Sequence, residues 1–286
     1  MSSIAFPGSN QNKSRATALL MPALIVNIIG FVWPLGLLAV ISLRDTATSG
    51  AFGLTFSLST WRTVLLDPHY YWLLLSTLKI AAITMVATLI VSFPVAMFVY
   101  RSSPRIKGPL IVVCIMPLLI SAVIRTYGWI VILGDQGLVP SAIRALGGTP
   151  YPMLFNTFGL VTGMVEILMP YMILALLSGF GRLDNSLEEA AASLGANKFT
   201  VLWRITVPLA APGILLGCFL VFVLTISAFI TPKILGGGRV PLLATEIYDQ
   251  AVLTLNWPVA AVLSYITLFI FGIVVIFYVK LIRMVD

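Results

Sequence analysis

Apolar residues fall in six long runs along this chain, separated by shorter polar connections. The runs cover approximately Ala18–Leu43, Leu73–Tyr100, Pro109–Leu133, Met153–Phe180, Leu209–Thr231 and Pro258–Ile282. Each is long enough to cross the hydrocarbon of a bilayer, which takes about 20 predominantly apolar residues as a helix. The pattern predicts an all-α, polytopic membrane protein with six transmembrane helices. The first run is too long for the apolar region of a signal peptide, and no small-residue cleavage site follows it, so it reads as a retained helix. The expected organisation is an N-terminal tail over 1–17 and one membrane domain over 18–286. Pro22, Pro34, Pro94, Pro117, Pro170 and Pro212 lie within the spans and are read as kinks, which membrane helices commonly tolerate.

Composition agrees with this pattern. Of 286 residues, 59% are hydrophobic and only 9% charged, against roughly 25% charged in an ordinary soluble domain. The net charge of +7 would suggest nucleic acid in a soluble protein. Here it reads as a basic inner face, and no nucleic-acid partner is expected. Lys13, Arg15, Arg101, Arg105, Lys107, Arg182, Lys198, Arg204, Lys280 and Arg283 fall on the side that holds both termini. Arg44, Arg62, Arg125, Arg144, Lys233 and Arg239 fall on the other, and Lys79 lies in the second span. The richer side is expected to be cytoplasmic, so both termini are placed inside. Trp61, Trp72 and Trp257 flank spans on the outer side, as an aromatic belt does.

Enzymatic chemistry finds little footing. The single histidine, His69, cannot build a multi-histidine metal site. No GxxxxGK[ST] phosphate loop and no GxSxG elbow occur. Cys114 and Cys218 lie in apolar runs and read as packing residues. No cofactor or metal is expected.

The fourth connection, about 182–208, is more than a tether. It reads Arg182-Leu-Asp-Asn-Ser-Leu-Glu-Glu-Ala-Ala-Ala-Ser-Leu-Gly195, then continues to Pro208. Ser186 and Glu189 have capping-box spacing, and Gly195 sits where a helix ends in the left-handed conformation. Between them Leu187, Ala190, Ala191 and Leu194 share a face. A second amphipathic turn carries Phe199, Leu202 and Trp203. So short a helix is marginal alone and needs something to pack against. A helix lying on lipid usually has a basic polar face. This first turn holds Asp184, Glu188 and Glu189, which favours a protein partner.

The string Glu189-Ala190-Ala191, three residues, Gly195, nine residues, Ile205, one residue, Val207-Pro208 resembles the EAA loop of permease subunits of bacterial ABC importers. It departs only in Val207 for leucine. The resemblance extends over roughly Thr77–Asp286. Arg125-Thr-Tyr-Gly-Trp129, Leu133-Gly-Asp-Gln-Gly137, Pro232 with Leu235-Gly-Gly237, and Asn256-Trp257-Pro258 are similar to the spermidine/putrescine-type branch. The resemblance implies a type I ABC importer permease in the bacterial inner membrane. It implies as partners a dimer of ATP-binding cassette ATPases, a second permease subunit, and a periplasmic or lipid-anchored binding protein that delivers a small solute. It assigns coupling to the ATPase to Ser186, Leu187, Glu188, Glu189, Ala190, Ala191, Leu194, Gly195, Ile205 and Pro208. The solute it implies is polyamine-like, with amino-acid derivatives, opines and phosphonates left open.

Within the membrane, Glu166 is a candidate by default, because ionisable residues there are costly and face the bundle interior or water. A carboxylate there suits a cationic solute; pairing with a polar neighbour, or hydration near the helix end, would equally account for it. Tyr127, Trp129 and Asp135 at the outer end of the third span suit an organic cation, or an interfacial belt. Arg125 opposes a cation and favours an anionic or zwitterionic solute if it faces the path. A self-contained secondary carrier is the competing reading, but it would need its own coupling-ion site and leaves the fourth connection without a purpose.

Overall fold

The computed structural model describes residues 20–22, 24–46, 52–181 and 183–285. The expected tail over 1–17 lies outside them. The first span, α1 (Leu20–Ser42), widens to a π turn at Ile28–Val32. A short hairpin follows, with β1 (Arg44–Thr46) antiparallel to β2 (Phe52–Phe56), then α2 (Ser59–Leu66). The second span is α3 (Pro68–Arg101). Next come α4 (Pro104–Ile115), α5 (Ala122–Leu133), α6 (Leu138–Ala145) and the long α7 (Thr157–Phe180). The fourth connection holds α8 (Asn185–Ser193) and α9 (Lys198–Leu209), which leads into α10 (Ala211–Ser227). The chain ends with α11 (Ile230–Leu235), α12 (Leu243–Tyr248) and α13 (Trp257–Val285).

Among the described residues, four helices are long and apolar enough to cross a membrane unbroken: α1, α3, α7 and α13. The other two expected spans are bent pairs. The chain turns through 93° between Pro104–Leu119 and Ala122–Ala145, and through 69° between α9 and α10. The run Pro109–Leu133 is therefore not one straight helix. Pro117 removes an N–H, the chain tightens to a 3-10 turn over Met116–Leu119, and Ile120 is extended. The run Leu209–Thr231 also ends early, at Ser227, and Thr231 belongs to α11. The hairpin is the departure from an all-α chain. It is fixed by Thr60, whose hydroxyl donates to the Arg44 carbonyl at 3.1 Å.

Helices α3, α7 and α10 form the packed centre. Leu160, Met164, Leu168, Met172, Ile173, Leu176 and Phe180 of α7 are buried against Ile80 and Ala96 of α3 and Val221 of α10. Without a hydrophobic drive between helices in lipid, close packing of small residues does the holding. A Cβ on Gly213 would stand 2.5 Å from Gly179 Cα and 2.6 Å from the Ala175 carbonyl oxygen, so α7 and α10 meet backbone to backbone. Thr77 of α3 accepts the Leu243 N–H at 2.9 Å and pins α12 to the same block. Outward faces carry large apolar side chains such as Phe31, Ile90, Phe98, Phe269 and Phe277, all exposed, as a lipid-facing surface requires.

Candidate functional site

The connection between α7 and α10 carries α8 as a short helix closed at both ends. Asp184 caps α8, with its Oδ1 accepting the Ser186 N–H at 3.0 Å. The backbone hydrogen bond from Ser186, and then that from the Ser186 side chain, hold the Asp184 carboxyl below its ordinary value. The start of the helix therefore differs from the expected capping box. Ser186 lies one residue inside α8, because the aspartate two positions earlier supplies both an acceptor and a negative charge for the helix N-terminus. The Glu189 side chain lies outside the described residues. At the far end Gly195 has φ +83, and the Ala196 N–H reaches back to the Ala191 carbonyl at 3.0 Å, closing the helix as a Schellman turn does. A Cβ on Gly195 would meet nothing within 4 Å. Its requirement is backbone conformation, not space.

Leu187, Ala190 and Leu194 are exposed, Leu194 by 89%, and Ala191 is half-buried. Phe199 and Trp203 continue this apolar surface with ring centroids 6.1 Å apart. Ile205 is half-buried and Pro208 exposed in α9. There the helix widens to a π turn over Leu202–Thr206, the Val207 N–H donating to the Leu202 carbonyl. The wider turn makes room for the Pro208 ring, which would clash in a regular helix.

Glu188 points the other way from the exposed leucines. Its carboxylate takes Arg101 Nη2 at 3.1 Å and the Thr206 hydroxyl at 3.0 Å. It is turned toward Arg101 and Thr206 within the protein.

A second group lies between α5 and α7. Arg125 and Trp129, one helical turn apart, both reach Glu166: Arg125 Nη1 donates to Oε1 at 3.2 Å and Trp129 Nε1 to Oε2 at 3.4 Å. The Arg125 side chain is 11% exposed and that of Glu166 31%. Arg125 Nε is buried with no hydrogen-bond partner among the described residues. Tyr127 falls on the opposite face of α5 and is exposed. Asp135 is exposed beyond the helix end, and it is its carbonyl that takes Arg144. The structure thus gathers three of the five expected path residues and leaves Tyr127 and Asp135 outside the group.

Sequence reasoning missed a neighbouring polar group in the last connection. Lys233 of α11 pairs with Asp249 at 2.5 Å, and Phe229 stacks on Tyr248 at 4.3 Å. Glu246 accepts from Gln250 at 2.8 Å. Two acids within four residues between apolar runs were the available signal. The Leu235-Gly-Gly237 string also gains a reason. Gly237 has φ +55 and lies against the Phe155 ring, while Phe155, itself at φ +59, donates its N–H to the Leu235 carbonyl at 3.0 Å.

Residues 93–283 match the family described as "Binding-protein-dependent transport system inner membrane component". The chain belongs to that family. The permease is 32% identical over 235 residues to the spermidine/putrescine transport system permease protein PotB of Escherichia coli, covering 82% of this chain and 85% of that one. It is 30% identical over 248 residues to PotB of Haemophilus influenzae, covering 86% and 82%. In fold it is similar to a chain of a bacterial ABC transporter that imports the acidic polysaccharide alginate, with a TM-score of 0.77, 14% identity and 96% of each chain covered. It also resembles a chain of the MetNI methionine ABC transporter in an inward-facing form, with a TM-score of 0.57, 14% identity, and 77% of this chain and all of that one covered. The permease is a multi-pass inner-membrane transport subunit of an ABC importer and not an enzyme; ATP is hydrolysed by separate subunits. The family implies ATPase, binding-protein and second-permease partners.

Proposed function

We propose that this permease forms half of the path for a polyamine-like cation, with Glu166 as the carboxylate the cation meets. The observation that carries the reading is the Glu166 group: an acid within a membrane helix, a third exposed, with an indole beside it. An ionisable residue in a span is expensive and is placed where solute or water reaches it, and an aromatic face adds attraction for an organic cation. The naming of the PotB relatives for spermidine and putrescine supports the same class. Arg125 beside Glu166 favours a second reading, a zwitterionic solute whose two charges match the pair. Phosphonates and opines fall under this second reading.

The distribution of Lys and Arg supports a cytoplasmic position for both termini and α8. There the exposed face of Leu187, Ala190 and Leu194, continued by Phe199 and Trp203, seats in an ATPase subunit. The binding protein, periplasmic or lipid-anchored, delivers solute from the opposite side.

The test is uptake into vesicles holding the reconstituted importer, screened over labelled spermidine, putrescine, amino-acid derivatives and phosphonates. Spermidine or putrescine uptake that falls with Glu166→Gln supports the cation reading. Uptake confined to zwitterions, or unaffected by Glu166→Gln, refutes it.

A further inference from the structure

Transport by this fold requires that a movement of α8 reach the spans. The covalent links at either end of α8 are poor carriers of force. Gly181, Leu183 and Asp184 on one side and Gly195-Ala196-Asn197 on the other lie outside the helices, and each side holds a glycine, which gives least resistance to torsion. The outward face of α8 is exposed and grips nothing among the described residues. Among the described residues, transmission runs through the inward face, where Glu188 makes the polar contacts.

Glu188 touches two different elements at once. Arg101 is the last residue of α3, and its Nη2 lies 3.2 and 3.1 Å from the two carboxylate oxygens. Thr206 closes the π turn of α9, just before the 69° bend into α10, and its hydroxyl donates to Oε1 at 3.0 Å. Thr206 is fully buried, so its hydroxyl needs an acceptor inside the protein, and Glu188 is that acceptor. Helices α3 and α10 pack on each other and on α7, so both contacts lead into the packed centre. A smaller contact braces the same corner. Tyr100, next to Arg101, donates its hydroxyl to the Leu183 carbonyl at 3.2 Å.

We propose that Glu188 is the joint through which α8 drives the membrane helices: its carboxylate locks α8 to the end of α3 and to the elbow before α10, so that the three move as one piece. It is a positioning residue, acting through Arg101 and Thr206, and not a contact to the ATPase. The inference rests on the reading above that the exposed face of α8 seats in the ATPase. Charge-assisted bonds from one carboxylate to two elements are directional and hold both against it at once, which suits a joint that must not bend.

The test uses the complete importer in vesicles, with solute transported per ATP hydrolysed as the readout and ATPase retained on the permease measured alongside. Glu188→Gln is expected to lower the transport ratio by at least about fivefold, the low end of ordinary coupling between sites. Exchanging the charges, Glu188→Arg with Arg101→Glu, is expected to restore most of it. The exchanged side chains can still close the ion pair, and the guanidinium then carried by α8 can also donate to the Thr206 oxygen. Arg101→Glu alone is expected to be as defective as Glu188→Gln. A role confined to folding would lower the amount of complex and leave the ratio untouched. An unchanged ratio in Glu188→Gln overturns the proposal. So does loss of the ATPase from Glu188→Gln that the exchange fails to restore, since that marks a direct contact. Leu194→Arg separates the underlying reading: ATPase retained at full strength by that variant removes α8 as the docking surface, whatever Glu188 does.

Discussion

Replacing Gly213 by alanine probes the contact on which the packed centre depends. The new Cβ would stand 2.5 Å from Gly179 Cα, 2.6 Å from the Ala175 carbonyl oxygen and 2.7 Å from the Gly179 nitrogen. Carbon contacts are comfortable at about 3.5–4.0 Å, so α7 and α10 would have to part by about 1 Å. All three neighbours are backbone atoms of a helix and cannot rotate away. The cost therefore belongs near the upper end of the ~1–3 kcal/mol range for overpacking. Alanine returns about 1 kcal/mol of helix propensity, leaving a net loss of about 2 kcal/mol. Gly272→Ala is the matched control, because a Cβ there meets nothing within 4 Å and only the propensity gain applies. Thermal unfolding in one detergent, followed by aggregation or tryptophan fluorescence, compares the two. Gly213→Ala is expected to melt about 5 °C lower and Gly272→Ala at or above the parent. Equal melting of the two variants would refute the backbone-contact argument.

Three other outcomes are expected. Gly195→Val forces a β-branched residue into positive φ, costing about 1–2 kcal/mol at the end of α8; solute-stimulated ATPase activity in the assembled complex should fall while Gly195→Asn, which tolerates that conformation, keeps most of it, and parent-like stimulation in a folded Gly195→Val counts against the argument. Glu166→Gln should reduce cation uptake with assembly intact, measured by vesicle uptake and co-purification, and equal uptake removes Glu166 from the path. The Asp184 carboxyl titrates below its ordinary 3.8 in the folded protein, so the stabilisation it gives α8 is present above that value and disappears as pH falls through the lower folded value; amide exchange at Ser186 should accelerate there in the parent and not in Asp184→Asn, whose amide oxygen caps without titrating.

The sequence made the spans legible because their signal is mean apolarity over about 20 residues. That same average conceals direction. It runs without a break across Met116–Ser121, where the chain turns sharply, and across Ser227, where α10 stops. The stop of α8 at Gly195 was readable because one residue type serves a left-handed position. Its start was not, since Asp184 and Ser186 are both good caps and only the fold decides between them. Arg125 and Glu166 were each identifiable as unusual, but they stand 41 positions apart, and nothing local announces that they meet. Nothing in the sequence marks Glu188 as the acid that faces Arg101 and Thr206. Which acid faces inward depends on where those two residues lie.

The glycine contact between α7 and α10 carries a consequence for how this permease opens. Two helices touching main chain to main chain have no side-chain cushion in which to slip. That pair, with the Ala210 backbone packed against Gly179, behaves as a chassis, and opening and closing fall to the turn outside it, the break at Met116–Ser121.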